Sequence, residues 1–390
     1  MSTRTARTGL PVVRRQPLPA GRRPVPLWLG AVAGAVAGAV AAGAVAGVKG
    51  LARGRTPGAA QQQHGSGHGV ESPAPEPPVT PVPPLEGRHR MVTTDDGVAL
   101  QVEEHGPEQA AGTVVLAHGY VQSSRVWAGQ VRDLLAARPD LKVVVYDHRG
   151  HGRSGRTTRE AARLEQLARD LVAVLDAVGP TGPVVLVGHS MGGMALMALA
   201  EQRPELFGQR VVGVGFVATS SGELKDVAYG MPRPAATLFK LLTPHLNERA
   251  LRREQAGIPR KLAAGTARLI FGLAADPEHV RETLEDMAGC SAETVAYFHA
   301  TFSEHDRRAA LAALADVPAV VLVGDRDQLC PLPHSQAIAA ALPLGELTIF
   351  PGAGHMVQLE RRPEVSRRLA ALVDATVPQA AALAGVTSGT

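Results

Sequence analysis

The chain has 390 residues, 45% of them hydrophobic, which is enough to bury a full core in one or two domains and too apolar for an intrinsically disordered protein. Its formal charge of +4 is unevenly spread: the first seventy residues hold nine basic residues and no acid, leaving 31 basic against 36 acidic residues in the rest. The body therefore offers no electrostatic footprint for nucleic acid, and the two cysteines, Cys290 and Cys330, exclude a disulfide framework while leaving one bridge open.

Residues 1–26 form a basic tail. Residues 27–48 are an uncharged Ala/Gly-rich apolar stretch, flanked by Arg22 and Arg23 on one side and Lys49, Arg53 and Arg55 on the other, and long enough to span a bilayer as a helix. Three readings follow. A transmembrane signal anchor leads, since the six preceding arginines leave the N-terminus cytoplasmic and the body extracytoplasmic. A cleaved signal peptide ending at Ala44-Val45-Ala46 would export the same body, and a low-complexity extension would do neither. Residues 49–86 follow with a glutamine run, Gly65-Ser66-Gly67 and seven prolines from Pro73 to Pro84, the composition of an extended, semi-rigid spacer.

The body begins near Gly87. In its first part, 87–220, short β-type runs at 98–102, 113–117, 143–146, 184–187 and 211–218 alternate with helical stretches at 130–137, 159–178 and 191–202. In 317–376, runs at 319–323 and 347–350 alternate with helices at 335–341 and 363–375, and 377–390 is left as a tail. Near-continuous apolar strands alternating with helices imply an α/β fold, with a mostly parallel, doubly wound sheet covered on both faces. Between 221 and 316 the strands disappear. Asp276-Pro277 reads there as an N-cap and first helical residue, Gly289 as a stop and Ser291 as another cap. A helical block inserted at this point would sit above the C-terminal edge of the strands as a cap.

The sharpest signal is Gly188-His189-Ser190-Met191-Gly192-Gly193, which follows the apolar run Pro183 to Val187 and opens the helix from Met191. So tight a strand-to-helix turn brings the chain before and after Ser190 together, which gives Gly188 and Gly192 a steric reason, and it lifts the serine hydroxyl out of the sheet. A neutral hydroxyl needs a base near pKa 7, for which histidine is suited, and the imidazolium formed needs a buried carboxylate. His355 is the best candidate base, because the Gly352 and Gly354 turn after the run 347–350 places it at the same sheet edge. Asp327 and Asp325 compete for the carboxylate.

Several motifs in order carry a resemblance over about residues 87–375: Val114 to Gly119, Tyr146 to Ser154, the turn at Gly188 to Gly193, Gly324-Asp325-Arg326-Asp327 with Pro331, and Gly354-His355. The body resembles the α/β-hydrolase fold family. The resemblance implies Ser190 as nucleophile, His355 as base and, from its spacing to Pro331, Asp327 as the acid; Asp325, nearer the strand end, is then expected to hydrogen-bond turn amides, as aspartates there commonly do. The backbone N–H groups of Tyr120 and Met191 would form the oxyanion hole, with His118, Gly119 and His189 beside them.

No Cys/His/carboxylate spacing matches a metal site, and the chemistry needs neither metal nor cofactor. Trp127, Tyr229, Phe239, Tyr297 and Phe298 read as packing residues rather than pocket walls. The cap leucines and phenylalanines, Leu238, Phe239, Leu241, Leu242, Leu269, Ile270 and Phe271, favour an apolar acyl group. The expected partner is a small-molecule ester, cleaved by an esterase or lipase. Acyl transfer, amide or C–C hydrolysis and cofactor-free haloperoxidase or perhydrolase chemistry are alternatives on the same scaffold, and a non-catalytic binding scaffold is disfavoured.

Overall fold

A computed structural model describes residues 87–179, 182–227 and 275–387, with 234, 236–238, 241–242, 267 and 269–273 between them. The assignments for 1–26, 27–48 and 49–86, and those for Tyr229 and Phe239, lie outside the described residues. Among the described residues no helix is long and apolar enough to cross a membrane.

Six strands are parallel: β3 (Gly112–Ala117), β4 (Leu141–Tyr146), β5 (Val184–His189), β6 (Val211–Val217), β7 (Ala319–Gly324) and β8 (Gly345–Phe350). Two more, β1 (Arg88–Thr93) and β2 (Ala99–His105), pair antiparallel with each other, and β2 pairs antiparallel with β4. The sheet order is β1-β2-β4-β3-β5-β6-β7-β8. Both faces of the central strands are apolar because both are covered: Val184 and Leu186 pack into one core, Val185 and Val187 into the other.

Helices α1 (Ala128–Ala137) and α8 (Arg362–Thr387) supply Val131, Leu134, Val365 and Leu369 to one core. On the other face lie α2 (Leu164–Val178), α3 (Met191–Gln202) and α6 (Leu332–Ala341), with α7 (Val357–Glu360) a single turn ahead of α8. Leu164, Leu167, Leu171, Val174 and Val178 form the buried stripe of α2, which ends on Gly179 in the left-handed conformation, φ 54°. That helix starts five residues later than the sequence suggests, because Thr158 closes its own turn on the Ala161 and Ala162 amides. Helix α8 starts at Arg362 and continues to Thr387, through the segment read as a tail.

Between β6 and β7 the described residues contain helices α4 (Pro277–Gly289) and α5 (Ala292–Phe302) and no strand. Their starts follow the expected chemistry. The Asp276 carboxylate accepts the Glu278 amide at 2.8 Å, Pro277 takes the first helical position, and Ser291 Oγ accepts the Thr294 amide at 3.1 Å.

Candidate active site

The parallel strands deliver their C-terminal ends to one edge, where the candidate residues meet. Ser190 follows β5 with φ 50° and ψ −116°, a strained backbone for a non-glycine residue. The strain is held by bonds on both sides: the Ser190 amide donates to the Val217 carbonyl at 2.9 Å, and Thr219 Oγ1 donates to the Ser190 carbonyl at 2.7 Å. The glycines have the steric role inferred from sequence. A Cβ on Gly188 would stand 2.4 Å from the Gly193 nitrogen, and one on Gly192 would stand 2.4 Å from the Ala117 carbonyl oxygen.

His355 and Asp327 are brought together. His355 Nδ1 lies 2.8 Å from Asp327 Oδ2, with the aspartate side chain fully buried and the histidine 5% exposed. The other carboxylate oxygen, Oδ1, accepts the amides of Leu329 at 2.8 Å and Cys330 at 2.9 Å, so the carboxylate is oriented before it meets the ring. Asp325 instead accepts the Gly352 amide at 2.7 Å, the turn-binding role expected of it.

Ser190 sits beside this pair without a hydrogen bond to the imidazole. The nearby Cys330 thiol is fully buried, and burial holds it in the neutral form, well above the usual thiol range. His189, the neighbour of Ser190, brings its ring centroid to 4.8 Å from that of His355. Cys290 is also a free, buried thiol, so no bridge joins the two cysteines.

His118 fixes the turn after β3. The His148 amide donates to its Nε2 at 2.9 Å, so Nδ1 carries the proton and donates to the Gly119 carbonyl at 2.7 Å. In a trans peptide the N–H points opposite the C=O, so anchoring that carbonyl aims the Tyr120 amide away from the His118 ring. The Met191 amide opens α3, where the first N–H groups have no partner within the helix and carry its positive end.

His118 and His189 are fully buried beneath these turns. Burial keeps His118, His148, His151 and His189 neutral near pH 7 by pushing each below the usual imidazole range, His151 to about 3. Among the described residues no group of three or more His, Cys, Asp or Glu side chains is placed to hold a metal ion.

The segment between β6 and β7 is bonded to two of the site's turns. Tyr120 Oη donates to the Val295 carbonyl of α5 at 2.5 Å, and Ser123 Oγ donates to Asp286 Oδ2 of α4 at 2.7 Å. The histidine turn is laced to residues 270–273, with the His355 amide donating to the Ile270 carbonyl at 2.7 Å. Glu360 completes this contact by accepting the Gly272 amide at 2.7 Å and the Gly354 amide at 2.9 Å. Ile270 and Phe271 are buried, whereas Leu238, Leu241 and Leu242 are exposed. Trp127 and Phe298 are fully buried packing residues.

Gln122 and Glu360 carry no signal in the sequence, and Cys330 is legible there only as one of two cysteines. A glutamine three residues after Gly119 and a glutamate six after Gly354 leave no periodic or motif signal, and their other partners, Met356 and Gly272, lie far along the chain.

The architecture and the strand-end elbow define an α/β-hydrolase. Residues 108–362 match the serine aminopeptidase S33 family of hydrolases, and the chain belongs to that family. A protein assigned as a carbamate hydrolase in Caulobacter segnis is 40% identical over 125 residues, 32% of this chain and 45% of that one. The acetyltransferase component of the acetoin cleaving system of Pseudomonas putida is 28% identical over 261 residues, 67% of this chain and 63% of that one. The chain thus spans less than two thirds of the length of these curated relatives.

Among solved structures, an esterase from Exiguobacterium antarcticum superposes with a TM-score of 0.61 at 18% identity, covering 73% of this chain and 98% of that one. A thermophilic esterase from Thermogutta terrifontis gives 0.58 at 24% identity, covering 72% and 96%. At these identities the likeness is one of fold.

Proposed function

We propose that this hydrolase cleaves small carboxylic esters through an acyl-serine intermediate, with Ser190 as nucleophile, His355 as general base and acid, and Asp327 as its orienting carboxylate. The observation that carries the reading is the buried 2.8 Å contact between Asp327 and His355 beside the strained Ser190 elbow. With Asp327 accepting the Nδ1 proton, His355 Nε2 is left with the lone pair that can take the Ser190 proton. Serine oxygen then bonds to the carbonyl carbon, and the carbonyl oxygen becomes an oxyanion facing the Tyr120 and Met191 amides. Collapse expels the alcohol, which takes the proton from His355. Water, deprotonated by the same ring, then hydrolyses the acyl-serine and restores the hydroxyl.

The segment 221–316 is read as a cap over the site, supported by its hydrogen bonds to the oxyanion and histidine turns. The apolar composition of that segment is the ground for proposing an apolar acyl group, Ile270 and Phe271 themselves being packed into the core. Residues 27–48 are read as an anchor or export signal that carries the body outside the membrane, supported by their length and flanking arginines.

The test is turnover of p-nitrophenyl esters of graded acyl length, with a carbamate and an anilide alongside. Ester hydrolysis abolished by Ser190→Ala is expected. Selective cleavage of the carbamate would move the reading to the chemistry named for the Caulobacter relative, and no turnover by folded protein would overturn it.

A further inference from the structure

Val121 holds φ 54°, in the left-handed region that a β-branched residue occupies only under constraint. The constraint is visible in the next side chain. Gln122 is 6% exposed, its Oε1 accepts the Gly119 amide at 3.0 Å, and its Nε2 donates to Met356 Sδ at 3.0 Å. Since the Gly119 N–H fixes which end of the amide is oxygen, the same Oε1 faces His189 Nδ1 at 3.0 Å. His189 Nε2 in turn lies 3.0 Å from the His355 carbonyl; the neutral ring has a single N–H, so it donates to one of these two acceptors, and either bond ties the Ser190 elbow to the turns that Gln122 links directly.

One buried amide and one buried ring therefore touch three turns. Gly119 precedes Tyr120, His189 precedes Ser190, and Met356 follows His355. Gly119 itself records the packing: a Cβ there would stand 2.8 Å from His189 Nδ1 and 2.9 Å from Gln122 Oε1, so the pair occupies the space that a larger residue would need.

We propose that Gln122, acting through His189, is the positioning residue that holds the Tyr120 amide, Ser190 and His355 in one catalytic register. The proposal rests on the serine-hydrolase reading above. Gln122 itself contacts no reacting atom. Its amide replaces a flexible junction between three separate loops by a set of fixed polar contacts, and the strained Val121 backbone is the cost of presenting it inward. A shift of about 1 Å between oxyanion donor and nucleophile lowers turnover by about a hundredfold, so loss of the link is read in kcat.

The experiment compares the full chain with Gln122→Leu and Gln122→Glu. It measures kcat and KM on a p-nitrophenyl ester, the inhibition constant of a trifluoromethyl ketone that forms the tetrahedral adduct, and thermal melting. Gln122→Leu is expected to lower kcat by about ten- to a hundredfold and to weaken ketone inhibition by a similar factor, with KM within about twofold. Gln122→Glu keeps an acceptor for Gly119 and is expected to recover kcat to within about fivefold of the native chain. Should the leucine variant not fold, Gln122→Met, which keeps length without the acceptor, takes its place.

Native kcat and native ketone affinity in a folded acceptor-less variant would overturn the proposal while leaving the serine-hydrolase reading intact. A native chain inert toward both ester and ketone would overturn the two together.

Discussion

Gly192→Ala tests how the elbow is built. The added methyl would lie 2.4 Å from the Ala117 carbonyl oxygen and 2.8 Å from that of His118, both backbone atoms in a fully buried strand end. Ordinary carbon–oxygen contact begins near 3.4 Å, so β3 and the start of α3 must separate by roughly 1 Å, because no side-chain rotation relieves a backbone clash. Overpacking on this scale costs about 1–3 kcal/mol of stability. The larger effect falls on turnover: the displaced strand leads directly into the His118-Gly119-Tyr120 turn, and about 1 Å between the oxyanion amides and Ser190 lowers kcat by about a hundredfold.

Urea unfolding and p-nitrophenyl ester kinetics read the two effects separately. Gly289→Ala is the control. It ends α4 with nothing within 4 Å of the added Cβ, and it should be neutral or stabilising by up to about 1 kcal/mol with native turnover. Native stability and native kcat for Gly192→Ala would refute the steric account of the elbow.

Asp327→Asn should reduce kcat by about four orders of magnitude by removing the carboxylate that fixes the His355 tautomer, while Asp325→Asn should change it by less than about tenfold; steady-state kinetics separate them. Asp170→Ala should destabilise the fold by about 1–3 kcal/mol in urea titrations, since it leaves the buried Arg149 Nε without its acceptor at 2.7 Å while Asp96 still binds the guanidinium at 2.6 and 2.9 Å. Acid should unfold the protein through its buried imidazoles. The folded pKa of His151, about 3, lies below the unfolded value near 6.5, so the unfolded chain binds the extra proton between them. Stability is then complete above about pH 6.5 and falls with decreasing pH by up to about 1.4 kcal/mol per unit for each such histidine. Thermal melts of His151→Gln should show a shallower acid slope than the native chain.

The fold was legible where burial is periodic or complete. The central strands read as apolar runs because both faces pack, and the elbow read clearly because two glycines, a serine and a helix start leave a local pattern. Strand β1 was not, since Arg88-His89-Arg90-Met91-Val92-Thr93 exposes all but Val92 at the sheet edge and carries neither alternation nor an apolar run. The start of α2 was displaced because Thr158 closes a turn within a helix-compatible composition. Asp327 was legible through the resemblance, from its spacing to Pro331, whereas residue position alone left Asp325 in competition; the places of Gln122 and Glu360 depend on contacts spanning 234 and 88 residues, to Met356 and Gly272. Local sequence carries no trace of such approaches.

The most direct measurement of the central claim is intact-mass and peptide mass spectrometry of the chain after brief treatment with a fluorophosphonate. A single adduct on the peptide carrying Ser190, absent from Ser190→Ala and greatly slowed in His355→Ala, is the predicted result. Folded chain that turns over ester while Ser190 stays unmodified, or that is labelled equally well in Ser190→Ala, would contradict the account.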